Sequence, residues 1–167
     1  MTVEYREDAS LTRSEDAILR RLLFSCFPHE PLFLVRRYLK ERPAHRWLIC
    51  DGKGEFVAHA AVHDKTAGSA SGDIRIGGIA EVCVSAKYRG RGFARKMLTA
   101  VHAWLPAHGI PFAFLFGKPE IYSGYHLVEN ELRYEALWNP WRGQPMVKCL
   151  TGTPWPAGWI DLRGGAF

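Results

Sequence analysis

The stretch from Lys87 to Leu98 reads KYRGRGFARKML, and it decides how the rest of the chain is interpreted. Gly90 and Gly92 come directly before an apolar-periodic run that predicts a helix, so the backbone here can approach a partner closely. The first-turn amides and the dipole of such a helix favour an anion. The stretch therefore predicts a pyrophosphate cradle. Four cationic side chains within eight residues repel one another unless an anion or acidic neighbours lie close, namely Arg89, Arg91, Arg95 and Lys96.

Other phosphate-binding and nucleic-acid-binding patterns fit this stretch less well. A dinucleotide fold uses GxGxxG, whereas the chain reads GRGFAR from Gly90 and lacks the third glycine. The P-loop pattern GxxxxGK[ST] is absent. Arginine- and glycine-rich nucleic-acid segments are repeated and disordered, whereas this stretch occurs once and leads into an amphipathic helix. A basic helix terminus without any ligand remains the alternative interpretation.

Length and composition are those of one globular domain. The chain has 167 residues, of which 47% are hydrophobic and 23% charged, and we expect a single domain over 1–167 with a Trp-, Pro- and Gly-rich C-terminal tail at 151–167. The net charge of +5 favours anionic ligands in general but does not choose among nucleic acid, a membrane surface and a small phosphate-bearing molecule. No apolar run approaches the roughly 18 residues of a membrane span. The N-terminal MTVEYREDAS does not resemble a secretory signal, so a cytoplasmic location is the default expectation.

The cysteines are scattered along the chain and form no CxxC pair. This spacing predicts buried free thiols rather than a zinc site or a disulfide framework, so we expect no metal. The four residues are Cys26, Cys50, Cys83 and Cys149.

Hydrophobic periodicity and turn residues predict the order β-α-α-β-β-β-α-β-α-β-β. Ser14 is the expected N-cap of the first helix, and 65–78 is expected to be a mobile, glycine-rich connection. The tail is expected to be an ordered coil or an edge strand. The predicted strands are 3–7, the two flanking the turn Asp51–Gly54, 79–85, 111–117, 129–138 and 145–150, and the predicted helices are 17–27, 31–43, the one that ends near 108, and 119–125.

This order predicts an α/β fold, with a mixed sheet and helices on both faces. On the quoted stretch the chain resembles the GNAT superfamily of acyl-CoA-dependent N-acyltransferases. The superfamily signature (R/Q)-x-x-G-x-(G/A) falls on Arg89-Gly90-Arg91-Gly92-Phe93-Ala94, directly after the strand EVCVS and before the helix. The element order from residue 3 to about 150 is also similar. The resemblance implies a GNAT-like fold, whose central, mostly antiparallel sheet is splayed at the CoA-binding strand.

The resemblance also implies a co-substrate and its binding residues. Acetyl-CoA would place its pyrophosphate on the amides of Arg91 to Ala94, and its pantetheine arm would pair with the strand backbone of Val82, Cys83 and Val84. A backbone N–H near Cys83 or Val84 would then stabilise the oxyanion of the acyl-transfer intermediate. Cys83 itself is rejected as a nucleophile, because no His or Asp partner lies at a recognisable spacing.

Two side chains are the candidates for proton transfer. Tyr122, in the segment GKPEIYSGYHL that resembles the superfamily's catalytic segment, would protonate the leaving thiolate, or would be a packing aromatic. That segment has His126-Leu127 where related chains often have a Gly-aromatic pair. Glu81 is acidic in an otherwise apolar strand, so it either acts as the base with a raised pKa or faces solvent.

Several other groups are alternatives for the base. His126 is more simply structural, and His59 and His63 are expected to be surface or core residues. A water relay would remove the need for a single basic residue. The chain ends in a segment that loosely resembles the tails of aminoglycoside-acting members, in which the Phe167 carboxylate would serve as base or amine anchor; a disordered or merely packed terminus is the alternative.

The predicted function is transfer of an acetyl group from acetyl-CoA to a primary amine by direct attack in a ternary complex. The expected acceptor is a small amine, an amino sugar or an aminoglycoside-like molecule, and neither nucleic acid nor membrane is expected as a partner. A homodimer is compatible with the superfamily. The alternatives are a non-catalytic acyl-CoA-binding module and a protein N-terminal or lysine acetyltransferase. The late tryptophans form either an acceptor surface or a second small core, and they are Trp138, Trp141, Trp155 and Trp159.

Overall fold

The computed structural model describes residues 1–135 and 143–167. Within these residues the fold is mixed α/β, with a large and mostly antiparallel sheet, as the sequence predicts. The helices are α1 (Arg13–Cys26) and α2 (Phe93–Ala107). The strands are β1 (Val3–Glu7), β2 (His45–Cys50), β3 (Phe56–Ser69), β4 (Ile74–Val84), β5 (Phe112–Gly117), β6 (His126–Leu127), β7 (Leu132–Glu135), β8 (Gln144–Cys149) and β9 (Ile160–Gly165).

The chain folds into two compact units. The first consists of Met1–Val62 and Glu81–Val101, and the second of His63–Ala80 and His102–Phe167. The strands β3 and β4 and the helix α2 therefore contribute residues to both units.

The first unit is built on antiparallel strands covered by α1. β1 pairs with β2 from Val3↔Ile49 to Glu7↔His45, and β2 pairs with the first half of β3. α1 begins after Thr12, whose side chain accepts from the Glu15 N–H while the Glu15 carboxylate accepts from the Thr12 N–H. Thr12 is thus the N-cap, and the prediction of Ser14 was wrong because the capping box forms two residues earlier. The buried core cluster comprises Leu19, Leu22, Leu23, Phe33, Leu48, Phe56 and Cys83.

The predicted hairpin between β2 and β3 is confirmed. One oxygen of the Asp51 carboxylate accepts from the backbone N–H groups of Lys53 and Glu55, at 2.8 and 3.0 Å. Gly54 completes the turn with a φ of +81°, a conformation that glycine adopts without steric cost.

The predicted second helix over 31–43 was wrong. Only a 3-10 turn forms there, at Pro31–Leu34. The backbone groups that a longer helix would use bond to side chains instead: the Arg37 carbonyl accepts from the Arg46 guanidinium at 2.8 Å, and the Leu39 N–H donates to the Glu81 carboxylate. Tertiary contacts with charged groups therefore override the helical pattern.

The second unit combines parallel and antiparallel pairs. β4 and β5 are parallel from Ile76↔Phe112 to Ile79↔Leu115, and β5 is antiparallel to β8. β8 also pairs with β6, and β9 pairs with both β3 and β7. The tail forms a strand over 160–165, but this strand pairs on both sides and is therefore not the predicted edge strand. The buried core cluster comprises Ala67, Ile76, Phe112, Phe114, Val147, Ile160 and Leu162.

The expected mobile connection over 65–78 was also wrong. β3 extends to Ser69, a tight turn follows in which Ser69 and Gly72 exchange two backbone hydrogen bonds, and β4 begins at Ile74. The glycines that suggested a loop have packing roles instead. A Cβ on Gly77 would lie 2.4 Å from the Leu105 side chain, and one on Gly78 would lie 2.6 Å from the Phe167 ring.

The short helix predicted over 119–125 does not form. The segment makes two successive turns, with the Ile121 N–H donating to the Lys118 carbonyl and the Tyr125 N–H to the Tyr122 carbonyl. Gly124 adopts a φ of +77°, which ends any helical run. β6 was not predicted. β7 falls within the predicted strand 129–138, whose last residues, with Trp138 and Trp141, lie outside the described part of the chain.

Candidate functional site

The predicted cradle is an exposed turn that opens α2. Gly90 and Gly92 have φ values of +76° and +74°, and no heavy atom lies within 4 Å of a Cβ built on Gly90. α2 begins at Phe93, and its first hydrogen bond runs from the Lys96 N–H to the Gly92 carbonyl at 2.9 Å. The earlier amides of the turn have no acceptor within the helix, so they are available to an outside anion.

The cationic side chains of this turn have few partners, and the Arg89 guanidinium hydrogen-bonds the Cys26 sulfur. Among the described residues, no carboxylate pairs with Arg89, Arg91 or Lys96, nor with Arg95. The Arg89 Nε donates to the Val84 carbonyl at 3.2 Å, and the Lys96 Nζ donates to the Met1 carbonyl at 2.7 Å. The Arg91 guanidinium lies over the Tyr88 ring, 5.0 Å from its centroid. The positive charge of the turn is thus left for a ligand, and these residues fit a pyrophosphate.

The strand that enters the cradle holds a buried thiol. Cys83 is 7% exposed, and its thiol hydrogen-bonds that of Cys26 on α1. This bond and burial raise the pKa of Cys83 well above its usual value, whereas the same bond lowers the pKa of Cys26 to about 6. The Cys83 thiol therefore stays protonated at neutral pH, which agrees with its rejection as a nucleophile. Val82 and Val84 are partly buried neighbours.

Glu81 lies at an irregular point of the same strand. Its φ is +53°, in the left-handed region, and its side chain is only 7% exposed. The carboxylate accepts from the Leu39 N–H, and one oxygen lies 3.5 Å from the Arg46 Nη1. Burial raises the pKa of Glu81 to about 7, against the opposing effect of Arg46. Glu81 therefore points inward rather than to solvent, and it exchanges a proton near neutral pH.

Arg46, on β2, is fully buried and connects Glu81 to a second carboxylate. Its Nε donates to an Asp8 oxygen at 2.5 Å, and its Nη2 donates to the Arg37 carbonyl at 2.8 Å. Its Nη1 contacts the His59 Nε2 at 2.8 Å. A fully buried arginine is expected only where such partners surround it.

His59 has a single protonation state that satisfies its neighbours. The guanidinium of Arg46 can only donate, so the His59 Nε2 must accept. The proton therefore sits on Nδ1, which donates to the Glu81 carbonyl at 3.0 Å. Complete burial, followed by the charge of Arg46, lowers the pKa of His59 well below its usual value, so the ring is neutral. The bond from the His59 Nδ1–H therefore satisfies the carbonyl of Glu81, the residue with the left-handed backbone.

Asp8 is the best-compensated carboxylate of this group. It is 2% exposed and bonds Arg37 through two nitrogens, at 2.8 Å each, besides Arg46 and Arg42. These hydrogen bonds and the charge of Arg46 overcome the cost of burial and hold the pKa of Asp8 well below its usual value. Arg37 also contacts Asp16 on α1 at 2.6 Å.

Tyr122 belongs to the second unit. Its ring packs directly on the end of β5, because a Cβ on Gly117 would lie 2.5 Å from it. Burial raises the pKa of its phenol, and among the described residues the hydroxyl has no hydrogen-bond partner. The ring of Tyr125 lies edge-on at a centroid distance of 6.0 Å, and the Tyr125 hydroxyl is 2.7 Å from the His102 Nε2.

The remaining candidates have ordinary structural positions. His126 is exposed on β6, and His63 is buried and stacks on the Phe167 ring at 5.5 Å. The Phe167 ring also packs against Phe114, so the terminal residue is ordered. Trp155 is a partly buried member of the second core, where it contacts Phe114.

Sequence reasoning singled out Glu81 and expected His59 to be a surface or core residue, but it did not connect them with Asp8 or Arg46. Asp8, Arg46 and His59 are spread over 52 positions of the chain, from 8 to 59, and no motif joins them. The sequence did contain a signal: Arg46 interrupts the apolar strand HRWLIC, and Glu81 interrupts the apolar strand IAEVCV. Opposite charges on buried strands are expected to pair, because an unpaired buried charge is costly.

Two further properties of the described residues bear on the function. No helix among them is long and apolar enough to cross a membrane. Three or more His, Cys, Asp or Glu side chains nowhere come together in these residues in a way that could hold a metal ion.

Comparison with known proteins identifies the family. The profile of the family described as "Acetyltransferase (GNAT) domain" matches residues 10–127. Among solved structures, the chain is similar to the GNAT family N-acetyltransferase YhbS from Escherichia coli in complex with CoA, at 18% identity and a TM-score of 0.67, covering 98% of this chain and 91% of that one.

Two further solved structures share the fold. An acyl-CoA N-acyltransferase from Pseudomonas aeruginosa is 15% identical with a TM-score of 0.63, covering 88% of this chain and 98% of that one. ElaA from Escherichia coli is 16% identical with a TM-score of 0.62, covering 88% and 99%. No curated protein matches the chain.

Proposed function

This chain belongs to the GNAT acetyltransferase family and is an acetyl-CoA-dependent acyltransferase, and on that premise we propose that it acetylates a primary amine with Glu81 as the general base. The observation that carries the proposal is the inward-facing carboxyl of Glu81, whose pKa is about 7, on the strand that enters the cradle. We further propose that residues 1–167 form one catalytic domain that acts in the cytoplasm.

The co-substrate is proposed to bind at the turn that opens α2. The amides of Arg91 to Ala94 and the side chains of Arg89 and Arg91 would hold the pyrophosphate of acetyl-CoA. The backbone of Val82 to Val84 would bind the pantetheine arm. The support is the two left-handed glycines and the cationic side chains of the turn, which pair with no carboxylate among the described residues.

Glu81 is suited to deprotonate an ammonium group. A primary amine titrates near 10, so an ordinary glutamate with a pKa of about 4.3 would take its proton at a cost of roughly 8 kcal/mol. With the pKa of Glu81 raised to about 7, the cost falls to roughly 4 kcal/mol. The neutral amine then attacks the thioester carbonyl directly, and no acyl-enzyme is needed, because the Cys83 thiol stays protonated.

The other steps are assigned by chemistry. A backbone N–H near Cys83 or Val84 is proposed to donate to the oxyanion. Tyr122 is proposed to protonate the departing thiolate, and its support is a phenol hydroxyl that bonds no other described residue. A thiol titrates near 8.5 and a phenol near 10, so proton transfer from Tyr122 to the CoA thiolate is uphill. We therefore propose that Tyr122 donates its proton while the thiolate is forming.

The acceptor is proposed to be a small primary amine, an amino sugar or an aminoglycoside-like molecule. A protein N-terminus or lysine is the second candidate. A panel of such amines, with release of the CoA thiol as the signal, distinguishes the two classes.

Calorimetric titration of acetyl-CoA tests the cradle. We expect Gly92→Val to weaken binding at least about tenfold, because the side chain would enter the space that the pyrophosphate needs. Gly54→Val is the matched control: its φ of +81° is close to the +74° of Gly92 and its surroundings are also open, but it lies in the β2–β3 turn. Equal affinities in the two folded variants would contradict the proposed binding site.

Transfer assays test the two catalytic residues. Glu81→Gln is expected to bind acetyl-CoA normally and to lose roughly 10²- to 10⁴-fold in kcat, the usual range for a general base. Tyr122→Phe is expected to lose at least roughly tenfold, with Tyr134→Phe on β7 as its control. Full activity of Glu81→Gln would contradict the assignment of the base.

A further inference from the structure

We propose that Arg46 and His59 are positioning residues for Glu81: Arg46 divides its guanidinium between Asp8 and the Glu81 carboxylate, and His59 fixes the Glu81 peptide. This inference rests on the proposed role of Glu81 as the base. Arg46 and His59 act through Glu81 in this inference, and neither is assigned a contact with the substrate.

The contacts of Arg46 are unequal, and the inequality has a consequence. Its Nε lies 2.5 Å from an Asp8 oxygen, whereas its Nη1 lies 3.5 Å from the nearest Glu81 oxygen. Asp8 thus neutralises most of the buried positive charge. Glu81 faces only the remainder, which is too little to keep its carboxyl ionised against burial. A guanidinium bonded mainly to Glu81 would instead make an ordinary salt bridge and a poor base.

His59 controls the backbone at the same position. Its Nδ1–H donates to the Glu81 carbonyl at 3.0 Å, while its Nε2 accepts from Arg46. Glu81 has a φ of +53°, a left-handed conformation that is strained for a residue with a Cβ. The carbonyl and the carboxylate of Glu81 are therefore both bonded to the Arg46–His59 pair, and the strained turn directs the side chain inward.

Among the described residues, the charged or titratable groups near Glu81 come from five elements, including α1, whose Cys26 thiol bonds Cys83 and has a pKa of about 6. Arg46 lies on β2, His59 on β3 and Asp8 after β1, and Cys83 is a buried neighbour on β4. The Leu39 N–H is the other donor to the carboxylate. His59 and Cys83 are both neutral at pH 7, so Arg46 and Asp8 are the charges that set the proton affinity of Glu81.

Titration of Glu81 by ¹³C NMR of its side-chain carboxyl, assigned with Glu81→Gln, tests the role of Arg46 without substrate. The wild type is expected to titrate near 7. Arg46→Met should move the midpoint upward by about one unit or more, and Arg46→Lys, which keeps a charge, should move it less. Arg75→Met removes a surface arginine paired with Asp64 and should leave it unchanged.

If Arg46→Met does not fold, the inference is tested by the Glu81 midpoint in Arg46→Lys and by the tautomer of His59 in the wild type. Long-range ¹H–¹⁵N spectra of the wild type should show the Nδ1–H tautomer of His59 and no titration between pH 5 and 8. An Nε2–H tautomer, a titrating ring, or a Glu81 midpoint that neither Arg46 variant moves would overturn the inference. These readings need neither acetyl-CoA nor an amine, so failure of the proposed function appears separately, as a wild type that transfers no acetyl group.

Discussion

Asp8 and Glu81 are both buried carboxyl groups within reach of Arg46, yet their pKa values move in opposite directions. Asp8 bonds three arginines and stays ionised far below its usual range. Glu81 meets one arginine at 3.5 Å and one backbone N–H, and its pKa rises to about 7. Burial opposes ionisation at both sites, so the number and closeness of donors decides the outcome.

This difference separates a structural carboxylate, Asp8, from the proposed base, Glu81. A carboxylate that is fully compensated contributes to the fold but has little affinity for a proton. One that is partly compensated costs stability when it ionises, and it gains the proton affinity that a base requires. The two can share an arginine only if one of them takes most of its charge.

Asp8→Asn should give the largest effect on this comparison. It leaves Arg46 buried without its main counter-ion, so we expect a loss of about 3–5 kcal/mol in the free energy of unfolding at pH 7. Because the pKa of Asp8 is lowered on folding, this stability is present above the usual aspartate pKa and is lost only in strong acid. Urea denaturation measures it.

The control for that variant is Asp73→Asn. Asp73 pairs with Arg163 at the surface, where its side chain is 58% exposed, and its removal should cost less than about 1 kcal/mol. Equal losses of unfolding free energy in the two aspartate variants would show that Asp8 is not the main counter-ion of the buried Arg46.

Glu81→Gln should change stability in the opposite sense. The folded state holds a proton on Glu81 that the unfolded chain releases, so wild-type stability falls as the pH rises from about 4.5 to about 7. Glutamine does not titrate, and the variant should gain on the wild type through this window by up to about 3 kcal/mol. Thermal melts between pH 4 and 8 provide the test. Parallel curves for the two proteins would mean that the pKa of Glu81 is not raised.

Arg42→Gln should give the smallest effect. Its side chain is 53% exposed although it contacts Asp8, so we expect a loss below about 1 kcal/mol. Arg37→Gln is the sharper partner, because Arg37 is 14% exposed and bonds both Asp8 and Asp16. Denaturation of both variants should rank Arg37 well above Arg42. The reverse order would show that the buried contacts do not govern Asp8.

Local signals predicted much of the fold. The Asp51–Gly54 turn and the glycines before α2 have conformational requirements that few residues meet, so both were recognised from the sequence. The same reasoning failed for 31–43, whose helical pattern is overridden by bonds to Arg46 and Glu81. The prediction of a loop also failed at Gly77 and Gly78, which lie in a strand and allow close packing of neighbouring side chains.

The candidate site could be predicted only in part. Glu81 stands out as an acid in an apolar strand, and the cradle follows from its motif. The charge balance around Glu81 depends on Arg46 and Asp8, and its carbonyl is bonded by His59; only the folded chain brings these residues together. The left-handed backbone of Glu81 has no signature in the sequence. The Arg46 guanidinium lies 2.5 Å from Asp8 and 3.5 Å from Glu81, and no sequence pattern provides these distances.

The most direct test of the central claim is the pH dependence of kcat/KM for acetyl transfer, measured for the wild type and Glu81→Gln with the amine that the panel identifies. The wild type should lose activity below a pH near 7 as the carboxyl of Glu81 is protonated, and this acidic limb should be absent from the weak residual activity of the variant. The same limb at undiminished rate in Glu81→Gln would contradict the account, because another group would then be the base.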